Sequence, residues 1–222
     1  LHKAGVQAAP WVASTGALAY ALGALDVAQT QAAQVVENIQ ASGAQTVMAD
    51  GPETAWALTK IYPALGIDLP DGVTVKLLST VLAENAAKGS PNLGVVFVHD
   101  SRPACLIADR MANNLAVLPG YREDEAAFGT GDVYEAPRRL LDALGVERVF
   151  STWTRSLAKS SGADDGLWLT YPDLAAGLAR QRLDYAAQLG ATTVVTDSPL
   201  AASFLAKHID ERDLQVKLLA AI

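Results

Sequence analysis

Two stretches of this chain spell one pattern. Residues 44–61 read "AQTVMADGPETAWALTKI", and residues 191–208, 147 positions later, read "ATTVVTDSPLAASFLAKH". Each has a short apolar run, an Asp, a small residue, a Pro and an alanine-rich continuation. Aligned without a gap, 26–58 and 173–205 share 12 of 33 positions, among them Asp26/Asp173, Gly43/Gly190, Val47/Val194, Asp50/Asp197 and Pro52/Pro199. The match extends upstream, where "STG" at 14–16 faces "SSG" at 160–162, and downstream, where "VKLL" at 75–78 recurs at 216–219. Self-similarity of this extent marks an internal duplication, so each half must fold the same way.

The unit has a readable architecture. Helical periodicity covers roughly 26–41 and 173–188, and Gly43 and Gly190 suit helix C-caps, where the left-handed backbone carries no Cβ penalty. The runs "TVMA" and "TVVT" read as short strands covered on both faces. Pro52 and Pro199 then stand in the first turn of a second helix, where the missing N–H is not needed. Between the copies, "NLGVVFVHD" (92–100) and "ERVFSTW" (147–153) read as strands and 133–145 as a helix. The spacing predicts an α/β fold of two similar three-layer, Rossmann-like halves with short parallel sheets, divided as 1–90 and 91–222. Residues 104–131, with "PGYREDEAAFGTG", read as an inserted surface segment suited to local mobility or to a contact with another protein. "WVASTGALAYALGAL" (11–25) is expected to be a buried helix, since it is too short and lacks the flanks for a membrane span or signal sequence.

Composition narrows the functional classes. With 222 residues, half of them apolar, the chain can bury a substantial core. A formal charge of −7 without Lys/Arg clusters argues against nucleic acid and against anionic membrane surfaces. Cys105 is the only cysteine, which excludes an internal disulfide and any all-cysteine metal centre within the chain, and suits a cytoplasmic protein.

The order "VHDSR", "VYEAPRRLLDALGVERV", "AKSSG" and "LARQRLDYAAQLGATTVVTDSPLAASFL" resembles the CCG domain, the cysteine-rich module of heterodisulfide reductases. The same module occurs in iron–sulfur subunits of glycolate, lactate and glycerol-3-phosphate oxidising systems, commonly as a tandem. In that family a His-Asp-Pro-Cys stretch follows a strand, Cys-Cys-Gly comes later, and Cys-Pro-x-Cys opens a helix. The resemblance places Arg102 at the first cysteine, Ser160 and Ser161 at the pair, and Ser198 and Ala201 at the last two. In the first copy it places Ser14 and Thr15 at the pair and Gly51 and Thr54 at the Cys-Pro-x-Cys positions. The intervals are kept while every cluster ligand is gone, and the first copy's His-Asp-Pro-Cys segment would precede Leu1, as in a longer protein that had been trimmed or a fold that starts mid-repeat. Hydroxyls that stay protonated and a guanidinium cannot replace thiolates toward iron.

The resemblance therefore implies a cluster-free module: a structural or docking component of an iron–sulfur oxidoreductase system, non-catalytic by itself. Electron transfer would run through iron–sulfur or flavin subunits, or the partner would be another copy of the chain. No metal or cofactor is expected in this chain. The alternative is an enzyme or sensor holding a small anionic metabolite in the former cluster cleft, with His99, Asp100, Arg102, Ser160, Ser161 and Ser198 around it and Asp164 nearby. These residues equally suit loop caps and cysteine-sized filling. A Ser-His-Asp hydrolase lacks its G-x-S-x-G turn, and His2, His99 and His208 lack the spacing of a zinc site. Cys105 reads as a small buried hydrophobe, with a reactive thiol as the alternative. "GATTVVTDSP" and "GTGDVYEAP" offer helix starts that could hold an anion, without a phosphate-loop pattern. The small-residue helical stretches 16–36 and 77–87 suit core packing, or a subunit interface.

Overall fold

Apolar residues spaced three and four apart give one long helix of each half an inward-facing stripe. In α2 (Leu25–Ser42), Ala28, Ala32, Val35 and Ile39 are buried. The computed structural model describes residues 8–86, 89, 91–108 and 132–222. A short α1 (Ala17–Ala21) precedes α2, which ends on Gly43 at φ 65°, and β1 (Thr46–Ala49) follows. Next comes a helical segment made of α3 (Pro52–Trp56), a π turn over Ala57–Ile61, and α4 (Tyr62–Ala64). Pro63 explains the wide turn: it has no N–H for the Thr59 carbonyl, and its ring crowds that carbonyl. Then come β2 (Thr74–Leu77) and α5 (Leu78–Glu84).

The rest of the chain adds β3 (Val96–Val98), α6 (Arg102–Ile107), α7 (Asp132–Ala143), α8 (Leu167–Thr170) and α9 (Pro172–Gln188). It closes with β4 (Thr193–Thr196), α10 (Pro199–Ala206) and β5 (Gln215–Leu218). In α9 the buried stripe is Ala175, Ala179, Arg182, Leu183 and Ala186.

Both sheets are parallel. The first has two strands, with Thr46 opposite Thr74 and Ala49 opposite Leu77. The second has the order β3-β4-β5, with Thr193 opposite Gln215 and Thr196 opposite Leu218. Helices cover both faces of each sheet, because parallel strands joined by helical crossovers have no face left for water. On the first sheet, Ala32, Val35 and Ile39 meet Leu58, Ile61 and Tyr62 on one side, while Ala49 and Leu77 meet Ala104, Cys105, Val133 and Tyr134 on the other. On the second sheet, Phe97 and Val194 pack under Ala179, Leu183 and Ala186, and Val96, Val98 and Val195 pack under Leu140 and Leu141. Helix α7 thus serves both cores, its start in the first and its end in the second. Among the described residues no helix is long and apolar enough to cross a membrane.

Several local expectations need correcting. Residues 11–25 do not form a buried helix: α1 has five residues and none is buried, because left-handed Gly16 and Gly23 cut it off at both ends. The strand expected over 92–100 is three residues long, starting after a left-handed Gly94. Within 147–153 only one bridge forms, Val96 with Arg148, before the Trp153 N–H turns back onto Ser151 Oγ. Coverage is also uneven: β4 is fully buried, whereas Thr46 in β1 and Thr74 and Lys76 in β2 are exposed. Residues 104–107 of the expected surface insertion belong to α6, with Ala104 and Cys105 buried in the core; 109–131 lie outside the described residues.

Candidate functional site

The carboxyl ends of parallel strands are where α/β folds gather polar groups. Here β1 runs into Asp50-Gly51-Pro52 and β4 into Asp197-Ser198-Pro199, and the two turns touch. Gly51 is pressed so close that a Cβ there would stand 2.6 Å from Pro199 Cδ and 2.9 Å from the Asp197 carbonyl. Across the contact Ser198 Oγ donates to Glu53 Oε1, while the Ala201 N–H caps the same Ser198 Oγ at 3.0 Å.

Over this junction lies a cavity of about 290 Å³. Its walls include Ser14, Thr15, Glu53 and Thr54 from the first half, and Asp164 and Leu200 from the second. Asp50 stands at its rim, accepting from Thr54 Oγ1 at 2.6 Å. Asp164 accepts from Ser160 Oγ at 2.6 Å. Burial raises Glu53 to about 7, helped by Asp164 and Asp50 and opposed by the Ser198 hydroxyl. Burial, with Asp100 and Glu53 nearby, lifts Asp197 well above the usual carboxylate range. Of these two carboxyls Glu53 lines the cavity, and Asp197 is buried in the turn beside it.

Behind it sits a sealed layer of charge. Asp100 follows β3 and accepts four hydrogen bonds: Arg138 Nη1 to Oδ1 at 2.9 Å, then Arg138 Nη2, Thr154 Oγ1 and the Arg155 N–H to Oδ2 at 2.7, 3.1 and 2.6 Å. Burial alone would raise the Asp100 pKa, but the Arg138 guanidinium and these bonds outweigh it and bring it to about 2. Removing one partner of such a pair would leave a buried charge alone, at a cost of about 3–5 kcal/mol. Beside it, Arg182 Nε donates to His99 Nδ1 at 3.1 Å, Arg182 Nη2 donates to the Trp153 carbonyl at 2.8 Å, and the guanidinium stacks 4.5 Å over the Phe97 ring. Burial and then Arg182 lower His99 to about 3, so the imidazole is neutral with its proton on Nε2.

His99, Asp100 and Ser198 are buried just after strands, and Ser161 is buried in the loop before α8, with Ser160 partly covered. None of these five lines the cavity. Arg102 is exposed at the start of α6 and does not line it either; its neighbour Pro103 does. Of the positions matched to family cysteines, Ser14, Thr15 and Thr54 face the cavity, whereas Gly51 and Ala201 are buried in the turns beside it. The residues present do not fit an iron–sulfur cluster. Ser198 is committed to Glu53, Gly51 has no room for a side chain, Ala201 offers only a methyl, and the others offer hydroxyl or guanidinium groups. Cys105 Sγ donates to the Arg155 carbonyl at 3.4 Å inside the core.

Sequence reasoning passed over Glu53, Arg138 and Arg182. Arg182 had a signal, being a lone charge inside the stripe Ala175-Ala179-Arg182-Ala186, at the position that Val35 holds in α2. Glu53 looked like an ordinary first-turn acid. Neither a family model nor a curated protein sequence matches this chain.

Proposed function

We propose that this chain is a cluster-free, internally duplicated relative of the CCG module that acts as a structural or docking component beside iron–sulfur or flavin oxidoreductase subunits, or beside another copy of itself. It is non-catalytic alone, and electrons pass through its partners. Duplication is supported by register: Thr46/Thr74 and Thr193/Gln215 begin the two strand pairs at matching places. The Ser198–Glu53 bond joins the two halves at their strand ends.

The observation that carries the docking reading is the apolar surface left at the helix starts. Leu18, Leu22, Leu25 and Val27 are 42–51% exposed in the first half, and Leu169, Tyr171 and Leu174 are 49–65% exposed in the second. Leu22 corresponds to Leu169, and Val27 to Leu174, under the repeat's own offset. Leu18 and Leu22 also reach Gly166, just before α8, so the two groups adjoin. Large apolar side chains grouped this way mark interaction surfaces. An anion in the cleft is opposed by Asp50 and Asp164, and Arg102 does not line it.

Sedimentation of the purified chain, followed by affinity isolation from its native host, tests the reading. We expect a colourless protein without absorption between 350 and 450 nm that self-associates or retains a redox partner carrying an iron–sulfur centre or flavin. Leu22→Lys with Leu169→Lys should abolish that association. A brown protein, or a monomer that retains no redox partner, overturns it.

A further inference from the structure

We infer that the outer edge of β1 is a docking site for one more parallel strand, supplied by another polypeptide: an extended segment with the apolar-aromatic-apolar order of β3 and a basic residue two places beyond it. This rests on that edge alone, and not on the apolar helix starts or the redox partners. In the β1–β2 register the Thr74 N–H donates to the Gln45 carbonyl, so Val47 and Ala49 also turn their peptide groups toward β2. Those of Thr46 and Met48 point the other way, and nothing bonds them among the described residues.

Thr193 and Val195, 147 positions on, are their counterparts in β4. There β3 takes up the outward groups: the Thr193 N–H donates to the Val95 carbonyl at 3.1 Å, and the Val195 carbonyl accepts from the His99 N–H at 2.8 Å. An unpaired row of this kind is a template for strand addition. The opposite edge is guarded instead. β2 carries Lys76 and β5 carries Lys217, paired with Met48 and Val195, and lysine blunts a strand edge. The β1 sequence "TVMA" has neither a charge nor a proline.

The side chains around the edge say what fits it. In the second half Phe97 packs with Val194 and Leu183, which are 1% and 0% exposed. Their counterparts Val47 and Val36 are only partly buried, against the core under α2. An aromatic residue in the place of Phe97 would cover both. Charge sets the next position. Asp100, two residues past β3, lies close enough to Asp197 to act on its pKa, so the matching residue of an added strand meets Asp50. Asp50 shares that end of β1 with Glu53 and Asp164, which favours Lys or Arg there and repels an Asp.

Fluorescence anisotropy of labelled nonapeptides against the full chain tests this, with residues 92–100 (NLGVVFVHD) as one probe and the same peptide ending in Lys as the other. The Lys-ended peptide should bind saturably below about 1 mM and about fivefold tighter than the Asp-ended one. Met48→Pro deletes an outward N–H and leaves the bonds to β2, so it should weaken binding about tenfold. Amide exchange on the parent chain reads the same contact without a variant: bound peptide should protect the Thr46 and Met48 amides and leave Val47 and Ala49 as they were. Leu22→Lys with Leu169→Lys should not change peptide affinity, which separates this edge from the helix starts. No saturable binding up to about 1 mM, binding without protection of Thr46 and Met48, or unchanged affinity in a folded Met48→Pro overturns the assignment. So does an Asp-ended peptide that binds as tightly as the Lys-ended one, or protection of these amides that grows with protein concentration alone, the mark of a second copy on the edge.

Discussion

Glu53 and His99 titrate in opposite senses, and the chain's response to pH follows from them. Glu53 stands at about 7 in the fold against an ordinary 4.5, so the folded state prefers its protonated form. Its contribution is intact below pH 4.5, declines as pH rises toward 7, and stays reduced above. His99 stands at about 3 against 6.5, so the folded state prefers the neutral ring, and stability is lost as pH falls from 6.5 toward 3. Gln at position 53 keeps the acceptor for Ser198 without the ionisation. The unfolding free energy of Glu53→Gln relative to the parent should therefore rise from pH 5 to pH 8 by an amount on the order of 2 kcal/mol, read as a growing difference in melting temperature. A constant difference across that range would mean that Glu53 ionises freely. At this scale the sequence was only partly legible. His99 and Asp100 were marked by their place at a strand end, but their partners come from 38 and 83 residues away, a distance that no local pattern encodes.

Among the elements, those set by periodicity were readable and those set by local backbone geometry were not. The stripes of α2 and α9, and the strands at 46–49 and 193–196, follow from apolar spacing alone. Helix α1 failed because its apolar letters suggested burial while two glycines cut it to five residues. One of the repeat's own glycines shows what the spacing hides. Gly162 has φ 82°, and a Cβ there would fall 2.1 Å from the Ala175 carbonyl on α9; in the first half Gly16 stands likewise against the Ala28 carbonyl. At Gly43, φ is also positive, at 65°, but the space around it is open. Gly43→Ala should then cost only the left-handed backbone term, about 1 kcal/mol. Gly162→Ala adds a backbone clash and should cost about 3 kcal/mol. Urea unfolding of the two variants separates the terms; equal losses would mean that the loop before α8 does not rest on α9.

For the whole molecule the question is whether the halves form one folding unit. Two sheets with separate strand orders would allow independent melting, but α7 argues otherwise. Val133 and Tyr134 at its start pack into the core of the first sheet, and Leu140 and Leu141 into that of the second. The Arg138 side chain between them is tied to Asp100 under the second sheet. The helix cannot leave one core without disturbing the other, and the Ser198–Glu53 bond joins the halves again at the strand ends. Local cores linked this closely melt together. Two variants, one keeping Trp56 and the other Trp168 as the single indole, report on the first and second halves. Their urea midpoints should coincide. Leu141 is fully buried, so Leu141→Ala should lower both midpoints alike, for a loss of about 2–5 kcal/mol. If the Trp168 transition alone moves, α7 belongs to the second half only, and the contacts at its start do not couple the sheets.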